Sequence, residues 1–143
     1  MGFQAPGAPL SEAARSCLTR ARSALGEAAA TTDPARRYAS AHVAALWSTA
    51  ALLAVRSRPS VRRSQRNAWA LLAQVVPEMG EWAAFFAAGA GKRAAAEAGL
   101  RNAVSAREAD DLLRDAERFL TLVEELLGVP SQQPLPGPAA KAS

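Results

Sequence analysis

Ser105-Ala106-Arg107-Glu108-Ala109-Asp110-Asp111-Leu112-Leu113-Arg114-Asp115-Ala116-Glu117-Arg118-Phe119-Leu120-Thr121-Leu122-Val123-Glu124-Glu125-Leu126-Leu127-Gly128 decides the fold class. Its first four residues have the S-x-x-E form of a capping box, in which a serine hydroxyl and a glutamate carboxylate each satisfy a backbone N–H at a helix start. Ala109, Leu112, Leu113, Ala116, Phe119, Leu120, Val123, Leu126 and Leu127 then recur at three- and four-residue intervals, the stripe of an amphipathic helix. Asp110, Asp111, Asp115, Glu117, Glu124 and Glu125 fall on the other face, and Gly128 followed by Pro130 supplies the stop.

The same period appears upstream. Ser11 precedes Ala14, Cys17, Leu18, Ala21, Leu25, Ala28 and Ala29, which predicts a helix over 11–30. Asp33-Pro34 pairs a capping acceptor with a residue whose missing N–H costs nothing in a first turn, and so predicts a second helix over 34–56. Tyr38, Ala41, Ala45, Leu46, Thr49, Leu52 and Leu53 are its expected core face, with Trp47 at the margin. Ser60 or Ser64 can cap a third helix bearing Ala68, Trp69, Leu72, Val75 and Val76; Pro77 opens a fourth, reaching Ala88 with Met79, Trp82, Phe85 and Phe86. Gly89-Ala90-Gly91 loosens the backbone before a short piece over 92–98. No segment alternates as a strand does. The expectation is an all-α, up-and-down bundle of four long helices plus one short piece over 10–128. Residues 1–9 and the proline-rich tail 129–143 are expected to be disordered.

Composition agrees with one folded domain: of 143 residues, 50% are apolar, with alanine prominent. The single Cys17 excludes an intramolecular disulfide, and residues 1–10 lack the pattern of a secretory signal, so a cytoplasmic location is expected. The longest apolar run, 43–55, is broken by Ser48 and Thr49 and is shorter than the roughly 20 residues that cross a bilayer, so no membrane span is expected. Charge is uneven. Between residues 15 and 66, ten arginines face only Glu27 and Asp33, whereas residues 67–128 are net acidic. The two halves can pair within a monomer, pair between subunits, or leave a positive face for a polyanion.

Little in the chain could perform chemistry. The only histidine, His42, lies in Arg36-Arg37-Tyr38-Ala39-Ser40-Ala41-His42, four residues beyond Arg37 and five beyond Arg36 by intervening count. This segment through Leu46, together with Ala68-Trp69, Leu71-Leu72, Pro77-Glu78, Glu81-Trp82, Phe85-Phe86, Asp110-Asp111-Leu112 and Phe119-Leu120, resembles the HEPN superfamily. The likeness is to small actinobacterial HEPN-like proteins whose second helix reads RYxxAHxAAL. It implies a helical bundle, commonly a homodimer, associated with RNA, nucleotides or toxin and defence systems. It also implies that His42 would be the general acid/base of a metal-independent ribonuclease and that Arg37 or Arg36 would hold the phosphate.

The residues themselves leave a second reading of His42 open, as a packed residue beside Tyr38, Ala45 and Thr49. On a regular helix Arg37 and His42 stand about 140° apart and do not point the same way. Arg56, Arg58, Arg62, Arg63 and Arg66 form the densest basic cluster and could engage phosphates of RNA or a nucleotide, or answer the acidic last helix. Trp47, Trp69, Trp82, Phe85 and Phe86 have helical spacing, which favours core packing over base stacking. Asp110, Asp111 and Asp115 lack companion ligands and suit the positive end of a helix, so neither a metal nor a cofactor is expected. The readings that follow are a non-catalytic nucleic-acid, nucleotide or protein-binding module, a ribonuclease, and a helical adaptor recognised through its acidic helix and tail.

Overall fold

A computed structural model describes residues 10–58 and 67–130. Helix α1 spans Glu12–Ala30, and the Ser11 hydroxyl accepts from the Ala14 N–H at 3.2 Å. Three residues turn the chain into α2, Pro34–Arg56, where the Asp33 carboxylate accepts from the Ala35 N–H and Pro34 takes the first helical position. Both ends are those that the cap chemistry predicts.

Helix α2 is the central element, and its burial is wider than the expected stripe. His42, Ala44, Ser48 and Ala51 are buried along with Tyr38, Ala41, Ala45, Thr49, Leu52 and Leu53. A helix covered on several sides has no single apolar face, and alanines let its neighbours approach closely. Among the described residues it is the helix long and apolar enough to cross a membrane, and more than half of that stretch is packed against other parts of the chain.

The middle of the chain departs from expectation. In place of two long helices there are α3 (Ala68–Val75), a 3-10 turn (Pro77–Met79), α4 (Gly80–Ala88) and α5 (Ala90–Glu97). The Asn67 side chain caps α3 by accepting from Trp69 and Ala70. Val76 leaves the helical region (φ −128°, ψ 78°), as the clash with a following proline ring favours, and Pro77 has no N–H with which to continue α3. Among the described residues, three helices are therefore long, with 19, 23 and 21 residues, and the others have eight or nine. The Ser60 and Ser64 caps and the tails at 1–9 and 131–143 lie outside the described residues.

Helix α6, Ala106–Leu126, has the capping box in full: Glu108 N–H donates to Ser105 Oγ at 3.1 Å and Ser105 N–H to Glu108 Oε1 at 2.9 Å. Gly128 follows it with φ +72°, in the left-handed region that glycine enters without penalty. Ala109, Leu112, Ala116, Phe119, Leu120 and Val123 are buried as the stripe predicts. Glu124 is the exception on the polar face. It is 2% exposed, and both Nε and Nη2 of Arg22 in α1 donate to its Oε2 at 3.2 and 2.6 Å. A buried carboxylate needs such a partner. At the other end of α6, Arg37 pairs with Asp110 at 2.6 Å beside the end of α1. The two bridges set α6 antiparallel to α1 and hence parallel to α2.

Candidate functional site around His42

His42 projects from α2 into an enclosure made by α3 and α4. Its ring is 1% exposed and meets Trp69 and Phe86 edge to face, with centroids at 5.7 and 6.2 Å. Nε2 lies 2.9 Å from the Phe86 carbonyl oxygen. A carbonyl can only accept, so Nε2 carries the hydrogen and Nδ1 holds the lone pair. That Nδ1 is buried and has no hydrogen-bond partner. Burial pushes the imidazole below its ordinary 6.5; the Phe86 carbonyl opposes this, Arg93 of α5 adds to it, and Glu97 opposes it.

Gly89, between α4 and α5, allows this closeness. A Cβ there would stand 2.7 Å from the Tyr38 hydroxyl and 3.6 Å from His42 Cδ2, whereas the other described glycines have open space. Tyr38 is itself buried, and loss of solvation raises its pKa; Lys92 acts against that rise and Glu108 with it. Lys92 and Glu108 are paired at the edge of this region, at 2.5 Å.

Arg37 does not approach the imidazole. Its Nε donates to the Ala28 carbonyl at 2.9 Å, Nη2 to the Thr31 carbonyl at 2.5 Å and Nη1 to Asp110. Ala28 lies in the last turn of α1, where carbonyls have no partner within the helix, so the guanidinium completes that end and ties it to α6. Arg36 is exposed and lines a shallow depression with Glu27, Ala30, Thr31 and Ser40. The structure thus does not bring the three nominated residues together: one is enclosed, one is a clamp and one faces outward.

The pattern of the SAV_6107-like HEPN family matches residues 28–124, which holds all of α2 to α5 and most of α6. The chain belongs to this HEPN family. No curated protein and no solved structure matches it.

Within this HEPN domain the remaining nominated residues divide. Arg56 and Arg58 are exposed at the end of α2, and no carboxylate among the described residues pairs with either. Arg62, Arg63 and Arg66 lie outside the described residues. Trp69 and Phe86 are core residues as the spacing predicts, and Trp47 is partly buried with the Arg20 guanidinium 5.0 Å from its ring. Phe85 is not in the core, being 46% exposed. Among the described residues no cluster of His, Cys, Asp and Glu has the makings of a metal site. Asp110, Asp111 and Asp115 instead meet Arg37, Arg114 and Arg118. Cys17 is partly buried and packs against the core.

Sequence reasoning did not find Gly89, Glu124 or Arg22. A glycine in a Gly-Ala-Gly break reads as a hinge, and only the packed neighbours reveal that this one is a point of close approach.

Proposed function

We propose that this HEPN domain works by binding and does not cleave RNA, with Arg37 and His42 serving the fold. The observation that carries this reading is the enclosure of the imidazole. A general acid/base must reach the proton that it moves, directly or through one water, and His42 offers Nε2 to a backbone carbonyl and buries Nδ1. Arg37 is likewise committed to the fold, with three of its five N–H donors holding two carbonyls and a carboxylate.

The test is incubation of the purified protein with single-stranded RNA without added metal. The expected result is no cleavage above background, unchanged by Arg37→Ala or His42→Ala. Cleavage that His42→Leu abolishes while circular dichroism shows an intact helical fold would overturn the reading.

A second observation favours a polyanion as the bound partner. Arg56 and Arg58 are exposed, meet no carboxylate among the described residues, and are followed in the sequence by Arg62, Arg63 and Arg66. If both described arginines contact phosphates, Arg56→Gln with Arg58→Gln weakens RNA binding and lowers the salt slope by about 1.4, at about 0.7 for each single-strand contact. Equal affinity and slope in the double variant would remove these two residues from the interface.

A further inference from the structure

The 3-10 turn, α4 and the end of α6 form a groove of about 310 Å³ lined by Glu78, Met79, Trp82, Leu122, Glu125 and Leu126. A second depression shares Glu78 and Trp82 with it and adds Glu81 and Phe85, so the two make one continuous face. Two of the described residues that leave large apolar side chains in water, Phe85 and Leu126, belong to this face. Phe85 stands edge to face against Trp82, with centroids at 6.3 Å, and Trp82 stacks on the buried Phe86. The exposed aromatic surface therefore rests on a rigid base. A contiguous apolar patch with a polar rim is a feature of interaction sites.

Its charge identifies the partner. Glu97, Glu108, Glu124, Asp110, Asp111 and Asp115 each meet a basic side chain. Among the described residues six exposed acids meet none, and three of them, Glu78, Glu81 and Glu125, lie together on this one face, while Glu27, Asp33 and Glu117 lie elsewhere. Three carboxylates around Trp82 that no basic side chain among the described residues offsets repel a nucleic acid. They also oppose a symmetric pairing of the face with itself, because an isologous contact brings together two copies of the same acidic patch with no basic side chain to answer it among the residues that line the groove.

We infer that this groove docks a cationic amphipathic helix of another protein, whose apolar side chains cover Phe85, Trp82 and Leu126 while flanking Lys or Arg residues meet Glu78, Glu81 and Glu125. Apolar anchors at i, i+3, i+4 and i+7 form one stripe that can cover the exposed apolar side chains, and a guanidinium or ammonium gains further from the face of an indole. The docking site is independent of the reading of His42, since peptide capture and RNA cleavage are separate readouts.

The experiment uses a labelled synthetic helix with Leu at those four positions and Lys elsewhere, read by fluorescence anisotropy against the full chain. Binding is expected at low salt and should weaken as salt rises. Phe85→Ala should weaken it about tenfold or more, and so should the combined Glu78→Gln, Glu81→Gln and Glu125→Gln variant. A peptide with Glu in place of Lys should not bind. Failure of the Lys peptide to bind, equal binding by the variants, or equal binding of the two peptides would overturn the proposal. So would sedimentation showing a wild-type dimer that Phe85→Ala converts to monomer and that the peptide does not displace, because a second copy would then cover the face.

Discussion

Phe86→Ala is expected to lower the free energy of unfolding by about 3–5 kcal/mol, the range for a large aromatic removed from a packed core. Phe86 is fully buried and lies between Trp69 and Trp82, stacked at 5.2 and 5.8 Å, with Phe119 at 5.1 Å. His42, Trp69, Trp82 and Phe119 come from α2, α3, α4 and α6, so this one ring joins the short helices to the long ones. Such rings are held on their other sides and cannot collapse into the space left. Phe85→Ala, one residue earlier and half exposed, is expected to cost only about 1 kcal/mol, nearer to a surface change. Urea titrations of the two variants make the comparison, with the midpoint shifting and the slope held. Equal losses would mean that the two rings do not occupy the places described.

That pair also marks where sequence reading reaches its limit. Successive residues on a helix are about 100° apart, so Phe85 and Phe86 cannot both face the core, and their identical chemistry gives no means of choosing. Helix ends were readable because they rest on local groups. Ser11, Asp33 with Pro34, and Ser105 with Glu108 satisfy backbone N–H groups within three residues of themselves. The middle of the chain was readable only in part: Pro77 announces a break, but the short helices around it owe their existence to packing, as helices of eight or nine residues generally do. Alanine obscured α2 for a related reason, since it fits a buried or an exposed position equally well and hides a helix covered on several sides.

The polar positions follow the same division. Glu124 falls on the acidic side of the stripe, and its burial depends on Arg22, a hundred residues away in the chain, arriving across from α1. Arg37 and His42 could be picked out by type and by resemblance, yet their roles depend on the Ala28, Thr31 and Phe86 carbonyls, groups that every residue carries and that no sequence pattern marks. Composition can nominate an imidazole for chemistry. Whether it meets water or a backbone oxygen is decided by tertiary structure.

The most informative titration is that of His42, because it is the only histidine and gives a single imidazole signal by NMR. With its folded-state pKa held below 6.5 by burial, the unfolded chain binds more protons than the folded one as pH falls through 6.5. Stability is therefore full above that value and declines on acidification, by at most about 1.4 kcal/mol per pH unit for one site, until the folded-state pKa is passed. The physical penalty has two parts: the charge loses its water, and the new Nδ1–H has no acceptor beside it. His42→Leu, of similar volume, is expected to flatten this part of the profile. It leaves the Phe86 carbonyl satisfied, since Gly89 N–H also donates there at 3.0 Å. His42→Ala opens a cavity instead and is expected to cost about 2–4 kcal/mol at pH 8, where no protonation enters. A solvent-facing catalytic imidazole behaves oppositely: it titrates near 6.5, it contributes no acid-side slope to folding, and truncating it leaves stability intact. Those three outcomes together would remove His42 from the core and return it to the surface as a candidate acid/base.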